Sequence, residues 1–333
     1  MSSGSATLNM PASPWLQHAD GTLEVRIVAA EALAMVALTA APPATEVTTA
    51  TLSVNYLRAP SLQDEAYVAR ATVVHSVRTF TLAEAIVEDT LGRAVLHATG
   101  SLLMSPVDIS AHPRGPDEVH EEPTYPTPDP HLRPYPGDFP WTLLNEVGGL
   151  EVLRMNATGE LVAPLYDLLG VRWVEIEQGF VTLTLEASDW LCSRTRHVAP
   201  GVLFSIAQLG TSGAAWTVCP SERRVGALDQ TISFLRPVAP KGGDLVVRGR
   251  LVHTGEKLLI SSVEVTDPDG NPVGLGHQTS VLAERRRGAE RLRPSASWPP
   301  SSTDIVGSTR QAEELGDASP ARACGHPIAA STT

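Results

Sequence analysis

The chain has 333 residues, enough for two cores of ordinary domain size. Its formal net charge of −12 argues against a protein that tracks a nucleic-acid backbone, which needs a dense basic face. Cys192, Cys219 and Cys324 have no CxxC spacing, and no apolar run reaches the ~18 residues of a membrane span, so a reducing cytoplasm with no membrane partner is expected.

Residues 1–13 are small and polar and are expected to be disordered. A first unit then spans 14–104. It opens on Pro14-Trp15-Leu16 and continues with an Ala-rich apolar stretch at 24–39 that reads as one long helix. After TLSVNYLRAP at 51–60 come alternating segments at 66–74, 80–88 and 93–103, which read as strands. Residues 105–140 are rich in proline, which offers no N–H to a helix or a ladder, so they read as an extended linker.

A second unit covers 141–282. It carries a helical turn at 165–170, strands at 171–177 and 180–187, a long helix at 201–218, and further strands after TISFLRPVAP at 231–240. Asp267-Pro268-Asp269-Gly270 marks a hairpin between two of them. Residues 283–333 show no periodicity and are expected to form a disordered tail.

The two units say the same thing twice. Val54-Asn55-Tyr56-Leu57-Arg58 matches Ile232-Ser233-Phe234-Leu235-Arg236 at an offset of 178. The offset holds through Val74-His75 with Val252-His253, and through Val87-Glu88-Asp89 with Val265-Thr266-Asp267. A repeat this long sets the architecture: an α+β layer in each unit, one helix wrapped by antiparallel strands. The first unit has no match for 165–187 beyond Pro14-Trp15-Leu16, so it reads as lacking the opening helical turn and one or two strands.

The helix at 24–39 is apolar nearly all round, with charges only at Glu24, Arg26 and Glu31, which is the pattern of a buried helix. Burial raises a carboxylate's pKa and makes it a better base. Aligning Glu24 with Gly201 puts Gln208 of the second unit opposite Glu31, and an amide can orient a water but cannot take its proton.

Residues 165–282 resemble a hotdog-fold thioesterase of the phenylacetate-pathway (PaaI-like) group. The resemblance rests on Leu168-Leu169-Gly170, Pro200-Gly201-Val202-Leu203, Phe234-Leu235-Arg236-Pro237, Val252-His253-Thr254-Gly255 and the turn from Glu264 to Gly270. Residues 21–104 resemble the same pattern from the helix onward. The whole chain is therefore similar to a tandem (double) hotdog whose first repeat is shortened at its N-terminus, in plan like the type II acyl-CoA thioesterases.

That resemblance implies hydrolysis of an acyl-CoA or acyl-carrier-protein thioester at a site between the repeats, by carboxylate-assisted attack of water. It assigns the acid to Glu31 (Gln208 in the second repeat), the water-binding threonine to Thr49 (Ala227) and the water-binding glutamine to Gln278 (Gly100). It places His197, and less directly His18, where some members touch the thioester carbonyl. Arg58, Arg78, Arg236 and Lys257 fall where the family docks the phosphates of coenzyme A or phosphopantetheine, which enters as part of the substrate. No other cofactor and no metal is implied, and exposed sheet edges point to a homodimer. Hotdog dehydratases place their helical acid five residues after the glycine, which is Ile206 or Ala29 here. The alternative is a non-hydrolytic hotdog, either an acyl-thioester binder or a biosynthetic cyclase or dehydratase, because neither repeat holds the full trio.

Overall fold

The computed structural model describes residues 4–107, 136–137, 139–140, 143, 146–193, 195–240 and 243–284. In the first repeat, β1 (Ser5–Pro11) precedes α1 (Arg26–Ala40), β2 (Thr45–Tyr56), β3 (Ala66–Val77), β4 (Phe80–Glu88) and β5 (Ala94–Pro106). The second repeat opens with α2 (Gly149–Thr158), α3 (Pro164–Leu169), β6 (Arg172–Glu177) and β7 (Phe180–Glu186). It continues with α4 (Pro200–Trp216), β8 (Arg223–Phe234), β9 (Asp244–Thr254), β10 (Leu258–Thr266) and β11 (Pro272–Glu284).

The strands form one sheet in the order β1-β3-β4-β5-β2-β8-β11-β10-β9-β7-β6. The two repeats meet at its centre, where β2 pairs antiparallel with β8 from Thr51↔Ser233 to Asn55↔Asp229. The pairing is centred on Ser53 and Thr231, whose hydroxyls lie 2.9 Å apart and whose positions differ by 178. Each residue at the centre thus meets its own repeat counterpart, as a pseudo-two-fold axis requires. The offset read from the sequence is the symmetry operation of the fold.

Both long helices lie against the sheet, and the larger of two apolar clusters among the described residues runs through both repeats, from Ala29, Leu33 and Leu52 to Leu165, Phe204 and Val247. Pro200 starts α4, because its fixed φ suits the first helical position. A Cβ at Gly201 would lie 2.9 Å from Ile27 Cα, so glycine there lets the start of α4 close on α1.

Three expectations need correction. Residues 5–11 are not disordered: they form β1, which pairs with β3 from Ser5↔Thr72 to Pro11↔Ala66 and takes the place beside β3 that β7 takes beside β9 in the second repeat. The first repeat therefore lacks the counterparts of α2, α3 and β6. The stretch taken as linker is not all surface, since residues 105–106 end β5 and Phe139 is 1% exposed within the core. The last strand reaches Glu284, two residues past the expected end. The remainder of the expected linker (108–135) and tail (285–333) lies outside the described residues.

Candidate active site

Helix α1 begins without a conventional side-chain cap, since its N-cap position is Val25. Glu24 takes over: its carboxylate accepts the Arg26 backbone N–H at 2.7 Å, placing negative charge at the positive end of the helix. The Arg26 side chain folds back onto the same group. Its Nε donates to Oε1 at 2.8 Å and to Oε2 at 3.0 Å, and Nη2 donates to Oε2 as well. Nη1 donates to the Tyr56 hydroxyl at 3.3 Å, and the guanidinium sits 5.9 Å from the Tyr56 ring centroid. Nη2 also meets His18 Nε2, which lies 3.3 Å from Glu24 Oε2.

This cluster is sealed, with Glu24 0% and Arg26 5% exposed. Burial alone would raise the Glu24 pKa, but the Arg26 guanidinium beside it outweighs burial and holds the carboxyl well below its usual range. The pair is therefore ionised, with Arg26 correspondingly held in its charged form. Tyr56 passes the network across the seam by donating to Oε1 of Gln230 on β8, 3.2 Å away.

A second network comes from the other repeat. Gln208, near the middle of α4, donates to Ser212 Oγ at 2.7 Å. Gln278, fully buried on β11, donates to Ser212 Oγ at 2.9 Å and to Ser280 Oγ at 2.8 Å, and accepts from Thr211 at 2.9 Å. Gln208 Oε1 is a buried acceptor with no partner among the described residues.

Both networks border one cleft between the repeats, which encloses about 870 Å³ counted out to its open mouth. His18, Arg26, Tyr56 and Arg58 contribute from the first repeat, Gln208, Ser212 and Ala227 from the second. The apolar wall is supplied by Leu153 of α2, Tyr166 of α3, Trp173 of β6 and Trp216 of α4. Three of these four come from elements that the first repeat lacks.

Of the residues expected at the site, the structure brings Gln208, Gln278 and Arg58 to this cleft, Gln278 through Ser212. Glu31 is not in its lining. It lies half-buried on the face of α1 that also carries Met35 and Leu38, 43% and 46% exposed. On α4 the equivalent face, from Gln208 to Trp216, is closed by Trp173 and α2, whose Gly213 and Gly149 contacts leave no space for a Cβ. The first repeat has no such elements to wall off a second cleft. Burial still pushes the Glu31 carboxyl above its ordinary pKa, and Glu31 has no partner among the described residues.

Thr49 is buried on β2 beside a register shift against β5. His197 is half-buried before α4, outside the lining. Arg78, Arg236 and Lys257 are exposed in turns away from the cleft. Glu24, Arg26, Tyr56 and Ser212 were not singled out by sequence. The available signal was the pair of charges at positions 24 and 26 in a stretch otherwise apolar except for Glu31. Among the described residues no His, Cys, Asp or Glu cluster could hold a metal ion, and no helix is long and apolar enough to cross a membrane.

Residues 196–273 match the family model of the Thioesterase superfamily. The matched span lies within the second repeat, from just before α4 to the start of β11. Solved structures extend the likeness to the whole tandem arrangement. A putative thioesterase from Novosphingobium aromaticivorans matches with a TM-score of 0.52 at 17% identity, over 86% of this chain and 97% of that one. A TesB protein from Mycobacterium avium subspecies paratuberculosis matches with a TM-score of 0.50 at 11% identity, over 85% and 94%. At these identities the likeness establishes the double-hotdog fold. No curated protein sequence matches this tandem hotdog, and the superfamily model does not single out the PaaI-like group within it.

Proposed function

We propose that this tandem hotdog hydrolyses an acyl thioester, carried on coenzyme A or an acyl carrier protein, in the cleft between its repeats. The observation that carries the reading is the meeting of two unlike walls in one cleft: donors anchored by Glu24 on one side, and the Gln208–Ser212–Gln278 network with its unpaired acceptor on the other. The thioester carbonyl oxygen takes a hydrogen bond from the first wall, where His18 stands. The acyl group lies against Leu153, Trp173 and Trp216, and Arg58 serves the phosphates of the carrier arm. Gln208 Oε1 holds the attacking water but cannot accept its proton. The rate is then set by hydroxide entering at the mouth, and it rises continuously with pH.

A second reading keeps Glu31 as the base on the open face of α1, favoured by a half-buried carboxyl whose pKa burial raises and which has no partner among the described residues. That reading gives a rate that levels off once Glu31 is ionised. Thiol release from a panel of acyl-CoAs, measured for wild type, Gln208→Ala and Glu31→Ala across pH, separates the two. We expect release to fall roughly tenfold or more in Gln208→Ala and to persist in Glu31→Ala. The opposite pattern moves the chemistry to Glu31, and tight binding without release in all three proteins defeats hydrolysis in favour of a binder.

A further inference from the structure

We infer that Arg26 is a positioning residue that fixes the neutral Nδ1–H tautomer of His18, giving the cleft an uncharged donor for an acceptor oxygen of its ligand. A guanidinium offers five N–H groups, has no acceptor and does not lose its proton in a protein. Arg26 spends Nε–H on the Glu24 carboxylate and one Nη1–H on Tyr56. Of the two hydrogens on Nη2, one goes to Glu24 Oε2 and the other points at His18 Nε2, 2.5 Å away. A hydrogen on His18 Nε2 would collide with it, so Nε2 must present its lone pair and the ring hydrogen must sit on Nδ1.

Glu24 is the competing influence, since its Oε2 lies 3.3 Å from the same Nε2 and favours a hydrogen there. That oxygen is already shared by two nitrogens of Arg26, and the guanidinium is the nearer neighbour. His18 Nδ1 makes no hydrogen bond among the described residues, while the ring lines the cleft. An uncharged donor held this way stabilises charge as it develops on an oxygen without a mobile counter-charge of its own. The buried ion pair thereby acquires a purpose beyond packing: Glu24 aims Arg26, and Arg26 aims the ring hydrogen.

The role as a donor to the thioester rests on the proposed function, whereas the tautomer does not, and the test uses that difference. In the ¹⁵N-labelled full-length protein without ligand, long-range ¹H–¹⁵N correlations of the His18 ring should show a protonated, pyrrole-type Nδ1 and a pyridine-type Nε2. Because Arg26→Met leaves a buried charge unpaired, the variant to compare is Glu24→Gln/Arg26→Met. It should lose the single tautomer and populate Nε2–H. Its thiol release should fall roughly 10²-fold in kcat, the loss typical of one oxyanion donor, with KM less affected. A protonated Nε2 in the wild type, or an unchanged tautomer in the double variant, overturns the inference whether or not the cleft releases thiol. A correct tautomer with no thiol release in wild type would leave Arg26's positioning role standing and defeat the hydrolytic reading alone.

Discussion

Substituting Arg26 by methionine should destabilise the protein far more than removing the whole ion pair. Glu24 is 0% exposed and its two oxygens are served mainly by the Arg26 side chain. Methionine keeps the aliphatic stem but leaves the carboxylate with the Arg26 backbone N–H and His18 alone. Stranding a buried charge costs about 3–5 kcal/mol, while replacing both members with neutral groups of similar size costs ~1 kcal/mol or less. The Arg26→Met protein should therefore be roughly 2–4 kcal/mol less stable than Glu24→Gln/Arg26→Met. Urea unfolding followed by fluorescence supplies the midpoints. The pH dependence gives an independent check. Folding holds the Glu24 pKa below its ordinary 4.5, so the folded state binds fewer protons than the unfolded one in that range. The stabilisation is present above about pH 4.5 and is lost as the pH falls below it. Wild type should lose stability there more steeply than Glu24→Gln/Arg26→Met. Equal instability of the single and double variants, or parallel pH curves, would refute the reasoning.

Gly249→Ala should cost about 3 kcal/mol or more, read as a shift in urea midpoint, because its Cβ would lie 1.9 Å from the Gly210 carbonyl oxygen and neither backbone can yield. Gln278→Leu should cost about 2–4 kcal/mol in the same assay, since it strips partners from Thr211, Ser212 and Ser280 in a site closed to solvent. Gln208→Glu should raise thiol release roughly tenfold or more and make the pH–rate profile level off, because a carboxylate there can take the proton the amide cannot; a profile that keeps rising would show the water lies elsewhere.

The repeat offset made most of the architecture legible, because the long helix and the strands after it recur in the same order in both repeats. Strand β1 escaped notice for a physical reason. SATLNMP is an edge strand whose residues alternate only between exposed and half-buried, so its apolar signal is too weak to stand out from a polar terminus. Helix α2 was missed because it rests on close backbone contact at Gly148 and Gly149 rather than on a long apolar stripe. At the site, comparing repeats singled out Gln208 and Gln278 but could not show which repeat supplies a walled cleft. That depends on Tyr166, Trp173 and Leu153, which have no counterparts to compare. The Glu24–Arg26 pair was visible as two charges, but its partners His18, Tyr56 and Gln230 come from three other segments and become its neighbours only in the fold.

The central seam also has a kinetic meaning. Ser53 and Thr231 must find each other across 178 positions of chain, whereas the strand pairings inside each repeat reach no further than Phe180↔Arg250, 70 positions apart. Loop closure of that span is the entropically dearest step of folding, so docking of β2 on β8 comes after the separate hairpins. The cleft does not exist until that step is complete, because its two walls belong to different repeats. A ligand touching both walls binds only the docked form, and its binding free energy therefore acts as a latch on the last event of folding.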